Sequence, residues 1–199
     1  MEKPQKIAAI ILAGGKSIRF GTDKRLFDVN GVPMFLHTAK KIQRILGSDV
    51  WVVLSNHSRQ HIDCLKREGI SFLEMPFSSS GMGDSLSYAV SHLEQYAGWL
   101  ISPADLPLIQ VSTLHSMVAS ATHAKLAAPY YQGQQGHPVW FAKTFFNDLV
   151  SLGGDRGARK ILQDNTNDLT RVPVDDQGCV MDFDTPESIE KNRKHLFLS

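Results

Sequence analysis

Short runs rich in Ile and Val alternate along the chain with longer stretches in which apolar residues recur every three or four positions. Runs of the first kind read as buried strands and stretches of the second as amphipathic helices. The pattern predicts strands over residues 7–12, 50–54, 70–74, 99–102, 124–128, 138–141 and 170–174. Between them it predicts helices over 33–46, 61–68, 84–96, 112–121, 142–152, 157–163 and 186–197. Strand and helix in alternation is the pattern of a parallel sheet covered by crossover helices. The expected fold is therefore a single three-layer α/β domain over 1–199, Rossmann-like, with a mostly parallel central sheet of about seven strands. Ser112 is a candidate helix cap, and Thr185-Pro186-Glu187 joins a capping hydroxyl to a proline in the first turn.

Composition narrows the classes. With 199 residues, 42% of them apolar and 21% charged, the chain is long enough for one well-buried core. Lys and Arg number 21 against 20 Asp and Glu, a net charge of +1. That leaves no excess of cations for duplex phosphates, so nucleic acid is not an expected partner. The apolar run at residues 7–13 is far shorter than the roughly 20 residues a membrane helix needs. Gly14-Gly15-Lys16 follows where a signal peptide would continue, so the run reads as a strand of a cytoplasmic protein with no membrane partner. Cys64 and Cys179 are too few for a disulfide framework or a cysteine zinc site.

The chemistry concentrates after the first predicted strand, in Leu12-Ala13-Gly14-Gly15-Lys16-Ser17-Ile18-Arg19-Phe20-Gly21-Thr22-Asp23-Lys24. Open parallel sheets bind ligands at the carboxyl ends of their strands. Gly14 and Gly15 allow backbone amides to approach an anion, and Arg19 and Lys24 add fixed positive charge. The spacing fits neither the dinucleotide fingerprint nor the nucleoside triphosphatase loop. On the residues alone the segment is a polyphosphate loop or a plain glycine turn.

Two acidic segments could meet at the same rim. Ser102-Pro103-Ala104-Asp105-Leu106-Pro107 sets a carboxylate beyond a strand between two stiffening prolines. Met181-Asp182-Phe183-Asp184-Thr185-Pro186 offers two more at i and i+2 before a helix. Mg²⁺ commonly takes one or two protein carboxylates and completes its shell with water and phosphate oxygens. Equally, Asp105 could cap a turn and Asp184 could cap the last helix.

The spacing Leu-Ala-Gly-Gly-x-Ser-x-Arg-x-Gly-x-x-Lys closely resembles the signature of the nucleotidyltransferases that attach a nucleotide to molybdenum cofactor. The resemblance implies that Leu12, Ala13, Gly14 and Gly15 border the nucleotide and its triphosphate while Arg19 and Lys24 neutralise it. It implies catalytic roles for Arg19, Lys24 and Asp105 and a Mg²⁺ held by Asp105 and Asp184. The run Ser80-Gly81-Met82-Gly83-Asp84-Ser85-Leu86 is similar to a family segment beside the nucleotide, which adds Gly81, Gly83 and Ser85; Ser55 and Asn56 join them after the second strand. Ser85 is also a candidate cap.

Gly136-His137-Pro138-Val139-Trp140-Phe141 and the run from Gly154 to Lys160 resemble acceptor-side segments of the cytidylyl branch. His137, Pro138, Arg156 and Arg159 are thereby implied in acceptor binding, the two arginines suited to gripping a phosphate. The Leu-Ala-Gly-Gly form is closer to the guanylyl branch. The implied reaction joins CMP from CTP, or GMP from GTP, to the phosphate of a molybdopterin-type acceptor, with a molybdoenzyme or its chaperone as onward partner. Other nucleotidyltransferases of this fold, acting on sugar or alcohol phosphates, and a non-catalytic cofactor carrier or chaperone are the rival classes.

Overall fold

Ala8, Ala9, Ile10 and Ile11 are all completely buried, so the first strand has no solvent face. A strand with alternating polar residues could not occupy that place. The computed structural model describes residues 6–14, 23–55, 59–76, 81–181, 183, 185–192, 194 and 196. Its strands are β1 (Ala8–Leu12), β2 (Asp28–Val29), β3 (Val32–Pro33), β4 (Val50–Leu54), β5 (Ser71–Glu74), β6 (Gly98–Pro103), β7 (Leu126–Tyr131), β8 (Gln134–Gln135), β9 (Val139–Ala142) and β10 (Leu169–Pro173). Its helices are α1 (Met34–Leu46), α2 (Arg59–Arg67), α3 (Met82–His92), α4 (Val111–Ser120), α5 (Phe146–Val150), α6 (Arg159–Asp164) and α7 (Pro186–Lys191).

The main sheet runs β10-β7-β9-β6-β1-β4-β5, with β8 paired to β7. β1 is parallel to β4 and β6, β4 to β5, and β10 to β7. β9 runs against both neighbours, β6 and β7. That reversal has a functional consequence: the start of β9 lies at the same rim as the carboxyl ends of the parallel strands, with Val139 opposite Ile101. The period of two sorts the core. Ala9 and Ile11 pack with Phe35, Ala39, Leu65 and Leu114 from α1, α2 and α4 on one face. Ala8 and Ile10 pack with Leu86, Val90, Leu149 and Leu162 from α3, α5 and α6 on the other. Three layers and the seven-stranded order match the expected fold.

Several boundaries differ from the expectation. The strand expected over 124–128 runs through Tyr131, where Gln132 and Gly133, both at positive φ, turn it into β8. The helix expected over 142–152 divides into a 3-10 turn, Lys143–Phe145, and α5. The helix expected over 84–96 starts at Met82 and stops at His92, where the Leu93 amide closes back onto Val90 and the Leu93 carbonyl accepts the Trp99 indole. The β2–β3 hairpin was not expected, although Asn30 (φ 54) and Gly31 (φ 80) are the turn pair such hairpins favour. Ser112 is not a cap. The cap position of α4 is Gln110, whose amide is taken by Asp176 at 2.9 Å. Thr185 does cap α7, in a reciprocal box with Ser188 and with proline in the first turn.

Candidate active site

The site forms where four elements end or begin at one rim. Ala13 is drawn against β4 by its amide, bonded to the Val53 carbonyl at 3.0 Å, and Ala104 against β1 by its amide, bonded to Leu12 at 3.2 Å. A Cβ on Gly14 would lie 2.9 Å from Ser85 Oγ and 3.9 Å from the Ser55 nitrogen. A side chain there would displace the Ser85 hydroxyl, and the neighbours of Gly14 identify the meeting of β1, β4 and α3. Leu12, Ala13, Gly14, Ser55 and Ser85 are thus brought together.

Lys24 enters from a 3-10 turn, Lys24–Leu26, and its Nζ lies 2.6 Å from Asp105 Oδ2 beyond β6. Both side chains are mostly buried, at 15% and 20% exposure. Asp105 is held from behind by α1. The buried Thr38 hydroxyl donates to the Ala104 carbonyl and accepts from the Leu106 amide, each at 3.1 Å, fixing both neighbours of Asp105. Lys41 Nζ donates to the carbonyls of Pro107 and Ile109. Burial lowers the pKa of Lys41, an effect opposed by the charge of Asp176.

His137 precedes β9 at this rim, joined to Pro138 by a cis peptide. His137 is exposed to solvent. Loss of water around it lowers its pKa, while the charge of Asp105 acts in the opposite direction. Pro138 itself is buried.

A second cluster adjoins through α3. The Gly83 amide donates to the Gly154 carbonyl at 2.8 Å, and Asp84 accepts from the Gly154 amide at 2.7 Å. A Cβ on Gly81 would overlap Asp155 and Gly154, and one on Gly83 would overlap the Arg156 carbonyl. Close contact with the 153–156 turn therefore accounts for both glycines as small residues. Arg156 is thereby set beside the start of α3, and Arg159 opens α6; both are exposed and make no ion pair among the described residues. Gly15, Arg19, Asn56 and Asp184 lie outside the described residues.

The donor set can be tested for a metal. Asp105 Oδ1 accepts no hydrogen bond among the described residues, and no group of three or more His, Cys, Asp or Glu there could hold a metal. Asp105, whose side chain keeps 20% of its exposure, offers one such oxygen, a donor set that fits Mg²⁺ shared with phosphates and water rather than caged by protein.

Sequence reasoning missed Thr38, Lys41, Arg25 and His61. The first two act from a helix whose polar positions look like ordinary solvated ones, and only tertiary structure brings them under the Asp105 turn. Arg25 directly follows Lys24, and its guanidinium joins Asp23 to the Ala13 carbonyl.

Gly14, Lys24 and Asp105 lie at the rim where open α/β sheets bind ligands. Residues 9–171 match the MobA-like NTP transferase domain. The chain belongs to that family. Like other MobA-like NTP transferases, it is a nucleotidyltransferase related to molybdenum cofactor guanylyltransferases. It is 28% identical to the purine catabolism protein PucB of Bacillus subtilis, with 98% of this chain and 100% of that one covered. It is also 28% identical to the molybdenum cofactor guanylyltransferase of Cupriavidus metallidurans, over 92% of each chain. Among solved structures, the Mycobacterium sp. strain JC1 homologue of Rv0371c superposes with a TM-score of 0.80 at 25% identity over 93% of each chain. No helix among the described residues is long and apolar enough to cross a membrane.

Proposed function

We propose that this MobA-like transferase joins CMP, from CTP, to the phosphate of a molybdopterin-type acceptor and releases pyrophosphate. The observation that carries the reading is Lys24 Nζ at 2.6 Å from Asp105 Oδ2, beside Gly14, Ser55 and Ser85 and within the field of His137. In the reaction an oxygen of the acceptor phosphate bonds to the α-phosphorus, the bond to the β-phosphate bridging oxygen breaks, and pyrophosphate leaves with that electron pair. The attacking oxygen is already anionic, so the site needs no general base. Its task is to bring two anions together and stabilise the charge that moves to the leaving group.

Gly14 and Gly15 offer backbone amides to the triphosphate, and Lys24 and Arg19 neutralise it. Asp105, with Asp184, would hold Mg²⁺, which supplies further charge neutralisation when bound. Asp105 also fixes the Lys24 ammonium at the rim. Gly81 and Gly83 let α3 and the 153–156 turn close against each other, which sets Ser85 beside Gly14 and brings Arg156 near the same cleft. Leu12, Ala13, Ser55 and Asn56 border the nucleotide on this reading. His137, Pro138, Arg156 and Arg159 face the acceptor, whose phosphate suits two guanidinium groups that make no ion pair among the described residues. A molybdoenzyme or its chaperone would receive the product.

GTP is the second reading, favoured by the Leu12-Ala13-Gly14-Gly15 form and by the names of the guanylyltransferase relatives. Pyrophosphate release measured with Mg²⁺, molybdenum cofactor and either CTP or GTP separates the two. The expected result is turnover with CTP, reduced roughly 10²-fold or more by Lys24→Ala. Turnover with GTP alone would replace the first reading by the second, and turnover with neither would remove both.

A further inference from the structure

The two ends of the glycine turn are tied together by a residue outside the signature. Arg25 Nη1 donates to the Ala13 carbonyl, while Nε and Nη2 donate to the two carboxylate oxygens of Asp23 at 2.6 and 2.5 Å. Ala13 is itself anchored to β4 through Val53. One guanidinium therefore connects the residue where the sheet ends to the residue before Lys24, with only residues 14–22 between them. Its side chain is 13% exposed, so these contacts are sheltered from water.

The carboxylate in the middle has a second neighbour. His61 of α2, 4% exposed, sets Nε2 3.3 Å from Asp23 Oδ2 and leans its ring on Phe35 at 5.3 Å. Neither ring nitrogen makes a closer polar contact among the described residues. Asp23 is thus pinned between α2 and the end of β1. Planar, two-point pairing fixes orientation as well as distance, which a lysine at position 25 could not do.

We propose that Arg25 is a positioning residue: by stapling Ala13 to Asp23 it closes the base of the triphosphate loop and fixes the backbone from which Lys24 reaches the site. This rests on the reading of that loop as the nucleotide site. Ala13 and Asp23 held at a fixed separation place Gly14 and Lys24 before nucleotide arrives, so less ordering is left to be paid on binding and affinity rises. All three side-chain bonds go to Ala13 and Asp23, the residues that flank positions 14–22.

The test compares wild type with Arg25→Ala and Arg25→Lys. Amide hydrogen exchange is followed at Ala13, Arg25 and Leu26, together with the thermal midpoint and the Kd for Mg-CTP and Mg-GTP. Arg25→Ala is expected to speed exchange at those amides, raise the nucleotide Kd about tenfold, and lower the thermal midpoint, because Asp23 loses a charged partner. Acceptor KM and kcat at saturating nucleotide should stay within about twofold, since the loss is in preorganisation. Added guanidinium ion restores affinity to Arg25→Ala, and Arg25→Lys falls between the two. Unchanged exchange overturns the staple whatever the nucleotide results. Unchanged nucleotide affinity, in a wild type that binds nucleotide, overturns its role in the site. A wild type that binds neither nucleotide removes the proposed function instead, and exchange still decides the staple. Should Arg25→Ala not fold, Arg25→Lys values equal to wild type overturn it.

Discussion

At the scale of single residues, the site depends on groups that touch no substrate. Thr38 is wholly buried, and its one hydroxyl holds both neighbours of Asp105. Thr38→Val keeps the shape and removes both bonds, leaving the Leu106 amide without that partner. A buried donor left unpaired costs about 1–3 kcal/mol. The variant should therefore unfold at lower urea by that amount and lose turnover out of proportion, because Asp105 is no longer fixed. Turnover per folded molecule equal to wild type would show that the Asp105 turn is rigid without Thr38. Asp23 gives a second residue-scale expectation. Burial by itself would raise its pKa, but pairing with His61 and Arg25 outweighs burial and leaves the carboxyl well below its usual range. A lowered folded-state pKa contributes stability that is present above the unfolded value, about 3.9, and is lost as pH falls toward the folded value. The stability difference between wild type and Asp23→Asn should be full at neutral pH and shrink steadily below about pH 4. A difference independent of pH would contradict this pairing.

At the scale of elements, the reversed strand β9 does most to make the site, because it delivers His137 to the rim where the parallel strands end. Its fit against β6 depends on Gly98. A Cβ there would overlap the Phe141 carbonyl oxygen and the Trp140 indole, neither of which is a flexible side-chain tip. Overfilling a packed position costs about 1–3 kcal/mol. Gly98→Ala should lower stability in urea by that amount while turnover per folded molecule stays close to wild type, since the glycine is at the far end of β6 from Asp105. A neutral substitution would mean that β6 and β9 can slide apart without loss. The elements themselves were largely legible in the sequence, because strands and helices buried on fixed faces must repeat apolar residues with fixed periods. Where the reading slipped, local bonds decided. The turn at Leu93 ends α3 although the apolar pattern continues, and the Asn30-Gly31 signal was readable but lay in a run too short for periodicity to register.

For the whole molecule, ligand binding and folding are linked. Nucleotide at about a hundred times its Kd adds about 2.7 kcal/mol to the folded state. For a domain of this size that is a rise in Tm of roughly 5–10 °C. Mg-CTP should give such a rise, GTP a smaller one, and EDTA should remove most of it, because the charged triphosphate then lacks its counter-ion. Shifts identical with CTP, GTP and EDTA would tell against a magnesium-linked CTP site. The fold that carries this linkage has its rim built from segments far apart in the chain: Lys24 and Asp105 are 81 residues apart and share one ion pair.

The sequence alone determined the layered α/β domain, the strand and helix order and the segments that carry charge and glycine, because periodicity, turn residues and motif spacing are local properties. It also named Gly14, Lys24, Asp105, Ser55, Ser85 and His137, and the rim unites them. Only the tertiary structure decided that β9 runs backwards between β6 and β7, that Thr38 and Lys41 brace Asp105, and that Arg25 and His61 clamp Asp23. Apart from Arg25 and Asp23, which are two residues apart, these are contacts between distant segments, and a polar residue reads the same along a chain whether it faces water or grips a neighbouring loop.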